Sequence, residues 1–195
     1  MKIIKDYISP NEYSRPVKKL SAVKALVMHW TGAPQQKAVD TRDFFENKKT
    51  GMGGYSSAHY IVDLNGDILA VVPESEVAYH CGTMRTDPES KKIYTDYARS
   101  KFGAYASEYS SPNNCTIGIE LCTTDIDGHF TTSTITAAVE LCADLCKRYR
   151  LKVTDITTHH SIVGWKDCPR LWTNEPNLFE AFKSSVQDYI SRGKV

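Results

Sequence analysis

At 195 residues, with 41% hydrophobic and 24% charged side chains, the chain has the make-up of one globular domain that can bury a core without disulfides. Twenty-four Lys and Arg face 23 Asp and Glu, a net charge of +1, which removes any bulk electrostatic case for nucleic acid or an anionic membrane as partner. No apolar run approaches a membrane span, and Met1-Lys2-Ile3-Ile4-Lys5-Asp6 lacks the apolar stretch of a signal peptide, so synthesis in the cytoplasm without stable membrane association is expected.

In chain order, Ala22 to Met28 reads as a mostly buried strand, ending at His29-Trp30-Thr31 where Gly32 and Pro34 break it. Val39 to Asn47 reads as a short helix packing Phe44 and Phe45. Ala58 to Leu64 and Ile68 to Val72 flank Asn65-Gly66, a hairpin signal. Between Cys81 and Asn114 lies a long polar segment with Tyr94, Tyr97, Tyr105 and Tyr109 and no period, a candidate wall for a substrate groove. Cys115 to Cys122 alternates, with Ile117, Ile119 and Leu121 on one face and Gly118 and Glu120 on the other. Thr134 to Arg150 carries a 3.6-residue apolar stripe, capped by Ser133 or Thr134, and Leu178 to Ile190 repeats the pattern after Pro176-Asn177. This order predicts a single α/β domain, a mixed central β-sheet flanked by α-helices.

Six cysteines without a CxxC pair do not make a disulfide framework, and Cys142 and Cys146 share one helix face as core residues. Among the six histidines, His29 stands at a strand end, and His159-His160 precede Cys168 by a short loop. The spacing matches neither a zinc finger nor HExxH, yet two histidines and a cysteine could hold one zinc and leave the fourth position to water. A thiol enzyme built on Cys168 is disfavoured, since Pro169 follows it and no helix opens there to lower its pKa.

Five blocks come in a recognisable order: His29-Trp30-Thr31, Ser57 to Asp63 (SAHYIVD), Val77 to Gly82 (VAYHCG), Asn114 to Leu121 (NCTIGIEL), and His160 through Lys166-Asp167-Cys168-Pro169. Together they resemble the N-acetylmuramoyl-L-alanine amidases of the amidase-2 and peptidoglycan-recognition superfamily, especially phage endolysins and prophage amidases, over about residues 20 to 185. The resemblance implies zinc held by His29, His160 and Cys168, with Glu120 as general base and Lys166 facing the substrate carbonyl. Other members carry a tyrosine where this chain has Ala58. His80, Thr31 and His59 become candidates for substrate contact. Two departures stand out: Ser161-Ile162 follows His160 where the family often reads x-Asp, and His159 sits next to the assigned ligand. The eight-residue spacing and the place of Lys166 favour His160 and leave His159 beside the site or on the surface.

The implied function is zinc-dependent cleavage of the bond between N-acetylmuramic acid and L-alanine in peptidoglycan, for host-cell lysis after release from the cytoplasm. The alternative is a non-catalytic peptidoglycan-recognition module of the same fold, whose members generally lack the cysteine. One catalytic domain over residues 1–195, with no separate wall-binding domain, is the expected organisation.

Overall fold

The computed structural model describes residues 2–83 and 85–193. At its centre β2 (Ala25–Pro34) and β5 (Thr116–Thr123) run parallel, paired from Ala25 with Thr116 to Trp30 with Leu121. The sheet extends outwards through β3 (Tyr60–Val62), β4 (Ile68–Ala70) and β1 (Ile3–Lys5) on one side and β6 (Ile156–Thr158) on the other. The order is β1-β4-β3-β5-β2-β6, and the β3–β4 hairpin alone is antiparallel, so the sheet is mixed as expected. Gly66 takes the positive φ (87°) that its tight turn requires.

Alternation along the strands sorts the side chains between two faces. Leu26, Met28, Ile117, Ile119, Leu121 and Ile156 pack under α3 (Thr132–Tyr149), α5 (Arg170–Asn174) and α6 (Pro176–Ser191) in the largest core. The stripe on α3 supplies Leu141, Cys142, Leu145 and Cys146 to it, and trimming either leucine to alanine there costs roughly 2–5 kcal/mol. The other face is covered in two pieces. Ile61, Leu69 and Cys122 pack with Phe45 of α1 (Ala38–Asn47), while Ala25 and Val27 pack with α2 (Asp96–Phe102) and α4 (His159–Val163). His29 and Glu120 project from this second face.

Several expectations change. Strand β2 does not stop at Gly32: with φ at 68°, Gly32 lets the strand bulge, and pairing resumes at Pro34 with Thr123. Of the two phenylalanines on α1, Phe45 is buried and Phe44 is half exposed beneath the Lys48 ammonium. The cap of α3 is Thr131, whose Oγ1 accepts from the Thr134 amide at 2.9 Å. The segment 81–114 contains α2, capped by Thr95, and Tyr94 turns into the core. All six cysteines are buried and unpaired.

Candidate metal centre

The site is built midway along β2, beside the end of β6. His29 follows the buried run Ala25–Met28 and lies opposite Glu120 of β5 in the register, so both side chains leave the same face. Thr158 ends β6 and caps α4 by accepting from the Ser161 amide at 3.1 Å, which makes His159 the first helical residue. Cys168 is carried back to α4 by a loop closed through its own carbonyl, which accepts from the His160 amide at 2.9 Å.

These elements bring together His29, His159 and Cys168, all buried, with one potential ligand atom from each within 4.8 Å of the others. The structure thus brings His159 into this cluster, in place of the expected His160. Residue 157 shares the face of Val27 in the β2–β6 register, so residue 159, two further on, continues towards His29 while residue 160 turns away. The half-buried His160 donates from Nδ1 to the Lys166 carbonyl at 3.0 Å and so braces the loop leading to Cys168.

The donor set fits zinc. Cys168 Sγ stands 3.6 Å from His29 Nδ1, close to the roughly 3.5 Å edge of a tetrahedral N/S zinc site. His159 donates from Nε2 to the Gly82 carbonyl at 3.3 Å, which leaves Nδ1 a buried lone pair without a partner among the described residues. Burial holds His159 neutral, down to about 3, and holds His29 far below its ordinary value with help from His159 and His80. Burial pushes the Cys168 thiol up to about 12. Without a cation that sulfur stays protonated, which removes it as a free nucleophile, whereas a bound metal would deprotonate it.

The centre lies in the floor of a cleft of about 880 Å³. Burial pushes the Glu120 carboxyl up to about 8 against the opposing pull of the Lys166 ammonium, and its Oε2 has no hydrogen-bond partner among the described residues. Lys166 is exposed at the cleft edge, with no ion pair or side-chain hydrogen bond among the described residues. Tyr79 and Tyr55 meet edge to face on one wall, and Arg85 lies over the Trp165 ring on another at 5.0 Å. Trp165 Nε1 donates to Thr83 Oγ1 at 2.7 Å, fixing that ring.

The three residues proposed to touch substrate fare differently. His59 is fully buried, its Nδ1 accepting from the Gly118 amide and its Nε2 donating to the Glu76 carbonyl, both at 3.0 Å. It ties backbone together and does not line the cleft. Thr31 does not line it either, and its hydroxyl is buried without a partner among the described residues. His80 borders the cleft, yet both ring nitrogens face protein groups. The segment 81–114 contributes Gly82, Thr83, Arg85 and Asn113 to the lining, not its tyrosines. Tyr55, Tyr79 and Trp165 also line the cleft, and as aromatic residues at isolated positions they carry no spacing signal in the sequence.

The family profile described as N-acetylmuramoyl-L-alanine amidase matches residues 19–171. A probable N-acetylmuramoyl-L-alanine amidase of Bacillus licheniformis is 32% identical over 195 residues, covering 100% of this chain and 50% of its own length. The chain thus spans about half the length of the curated relatives it matches. In fold it is similar to the catalytic domain of XlyA (TM-score 0.67, 21% identity, 95% of this chain and 99% of that one). The PlyG catalytic domain aligns with a TM-score of 0.70 at 19% identity, over 97% of this chain and 96% of that one.

Proposed function

Given that the chain belongs to the N-acetylmuramoyl-L-alanine amidase family, we propose that it hydrolyses the amide between the lactyl group of N-acetylmuramic acid and L-alanine in peptidoglycan, using one zinc ion. The observation that carries this reading is the cluster of His29, His159 and Cys168 in the floor of an open cleft, beside an unpartnered Glu120 carboxyl. Three protein ligands leave a position free, and a zinc ion held by them supplies Lewis acidity and lowers the pKa of water there from about 15.7 towards about 7.

The protein's own groups do the rest. Glu120 takes the proton of the attacking water at its free oxygen and returns it to the leaving nitrogen of L-alanine. A carboxyl held up at about 8 gives its proton readily near neutral pH, and the charge of a bound zinc ion would favour the ionised form that accepts one. Lys166, unpaired at the cleft edge, donates to the carbonyl oxygen as negative charge develops, a contribution worth roughly 100- to 1000-fold in rate for one such donor. The Tyr55–Tyr79 wall offers ring faces on which a sugar can stack.

The test is mass spectrometry of purified peptidoglycan after digestion, with and without a zinc chelator. Free stem peptides beginning with L-alanine, abolished by chelation and restored by zinc, are the expected result. An intact wall that nonetheless binds the protein would refute the hydrolase and favour the recognition module.

A further inference from the structure

Behind His29 lie a buried imidazole and a buried hydroxyl that the proposed chemistry does not use. His29 Nε2 is 3.1 Å from His80 Nδ1, His80 Nε2 is 3.2 Å from Thr116 Oγ1, and Thr116 Oγ1 is 2.7 Å from the Pro112 carbonyl. We propose that His80 is a positioning residue which, with Thr116 and the Pro112 carbonyl, locks the proton of His29 onto Nε2 and so presents its Nδ1 lone pair to the metal. The proposal rests on reading His29, His159 and Cys168 as a metal centre.

The direction of each bond follows from the terminus. A carbonyl only accepts, so Thr116 gives its single hydroxyl proton to Pro112 and can only accept from His80. His80 Nε2 must then carry hydrogen. In a buried, neutral ring that leaves His80 Nδ1 as an acceptor, and His29 Nε2 is the donor facing it. His29 has no second proton, so its Nδ1, 3.6 Å from Cys168 Sγ, is a lone pair. The Cys81 thiol, 3.2 Å from the same His80 Nδ1, donates in the same sense and does not reverse the run.

The surroundings hold this arrangement in place. Asn113 Oδ1 accepts from the amides of His80 and Cys81 at 2.9 and 2.7 Å. The His80 ring lies against Gly118 so closely that a Cβ there would sit 2.5 Å from its Cγ, which explains a glycine in the middle of a central strand. It meets His29 edge on, at 5.2 Å and 88°. Two residues later the Gly82 carbonyl takes the Nε2 proton of His159. The short segment 80–82 therefore selects the tautomer of both histidine ligands, by a side chain for one and a carbonyl for the other. Such partners of metal-bound histidines typically change affinity 10- to 100-fold when removed.

The decisive measurement is a long-range proton–nitrogen correlation spectrum of the imidazoles in metal-free wild-type protein. His29, His80 and His159 should all carry hydrogen on Nε2; hydrogen on Nδ1 of His29 overturns the proposal. In parallel, zinc affinity is measured by chelator competition. His80→Phe should lose roughly 10- to 100-fold, while His80→Gln, whose amide can accept from His29 and donate to Thr116, should return to within about fivefold of wild type. A folded His80→Phe that binds zinc as wild type does also overturns it. Thr116→Val, close to isosteric, carries the affinity arm if His80→Phe does not fold, and it should bind several-fold more weakly; unchanged binding counts against the relay. Wild-type protein that takes up no zinc would sink the metal reading, whereas the metal-free spectrum still decides the relay.

Discussion

Replacing each of the two adjacent histidines by alanine tests the ligand set directly. His159 offers a buried, unpartnered Nδ1 to the centre, while His160 uses its Nδ1 to brace the Lys166 carbonyl at 3.0 Å. Zinc bound by a full set of four protein ligands is worth about 10–16 kcal/mol, so one ligand accounts for roughly 2.5–4 kcal/mol. His159→Ala should therefore weaken zinc binding by roughly 100- to 1000-fold. His160→Ala loses one hydrogen bond from half-buried α4 to the loop, about 1 kcal/mol of stability, and should change zinc affinity by less than about fivefold. Competition with a chromophoric chelator, alongside urea unfolding of the same samples, separates the two effects. Zinc binding that survives in His159→Ala and is lost in a folded His160→Ala would refute the assignment and the strand-parity reasoning behind it.

Glu120→Gln keeps the shape of the cleft floor and should lower turnover by roughly 100- to 10,000-fold with zinc content unchanged; activity within tenfold of wild type would remove Glu120 as the base. Gly118→Ala places a methyl 2.5 Å from His80 Cγ, against a ring held by its own hydrogen bonds, and should cost about 1–3 kcal/mol in urea unfolding. Stability equal to wild type would mean that the ring moves freely. At the far side of the sheet, burial raises the Glu74 carboxyl, but hydrogen bonds from Arg148, Tyr149 and Tyr60 more than reverse this and hold it at about 2. Its folded pKa is depressed, so its stabilisation is complete above about 4.5 and disappears as the pH falls through about 2. After discounting for solvent screening of a partly exposed group, Glu74→Gln should cost about 1–2 kcal/mol at pH 7. The gap between variant and wild type should close towards pH 2, and a gap independent of pH would show that the charge is not its source.

Much of the architecture was legible in the residues because each element carries its own period. The stripe on α3, the Asn65-Gly66 hairpin and the alternation of β5 are local patterns, and they place Glu120 opposite the isoleucine face without any knowledge of neighbours. The order of the five motifs likewise pointed to His29 and Cys168, which the fold brings together. The choice between His159 and His160 is of another kind. It depends on the phase of β6 relative to β2, and that phase is set by the pairing of Val27 with Thr157 across the sheet. The same holds for His59 and His80, which read as site histidines along the chain but turn their nitrogens into the protein, one onto backbone and the other onto His29 and Thr116. A sequence period reports which face of its own element a residue occupies. A ligand set needs three elements in register with one another, and only the assembled sheet and the packing behind it supply that.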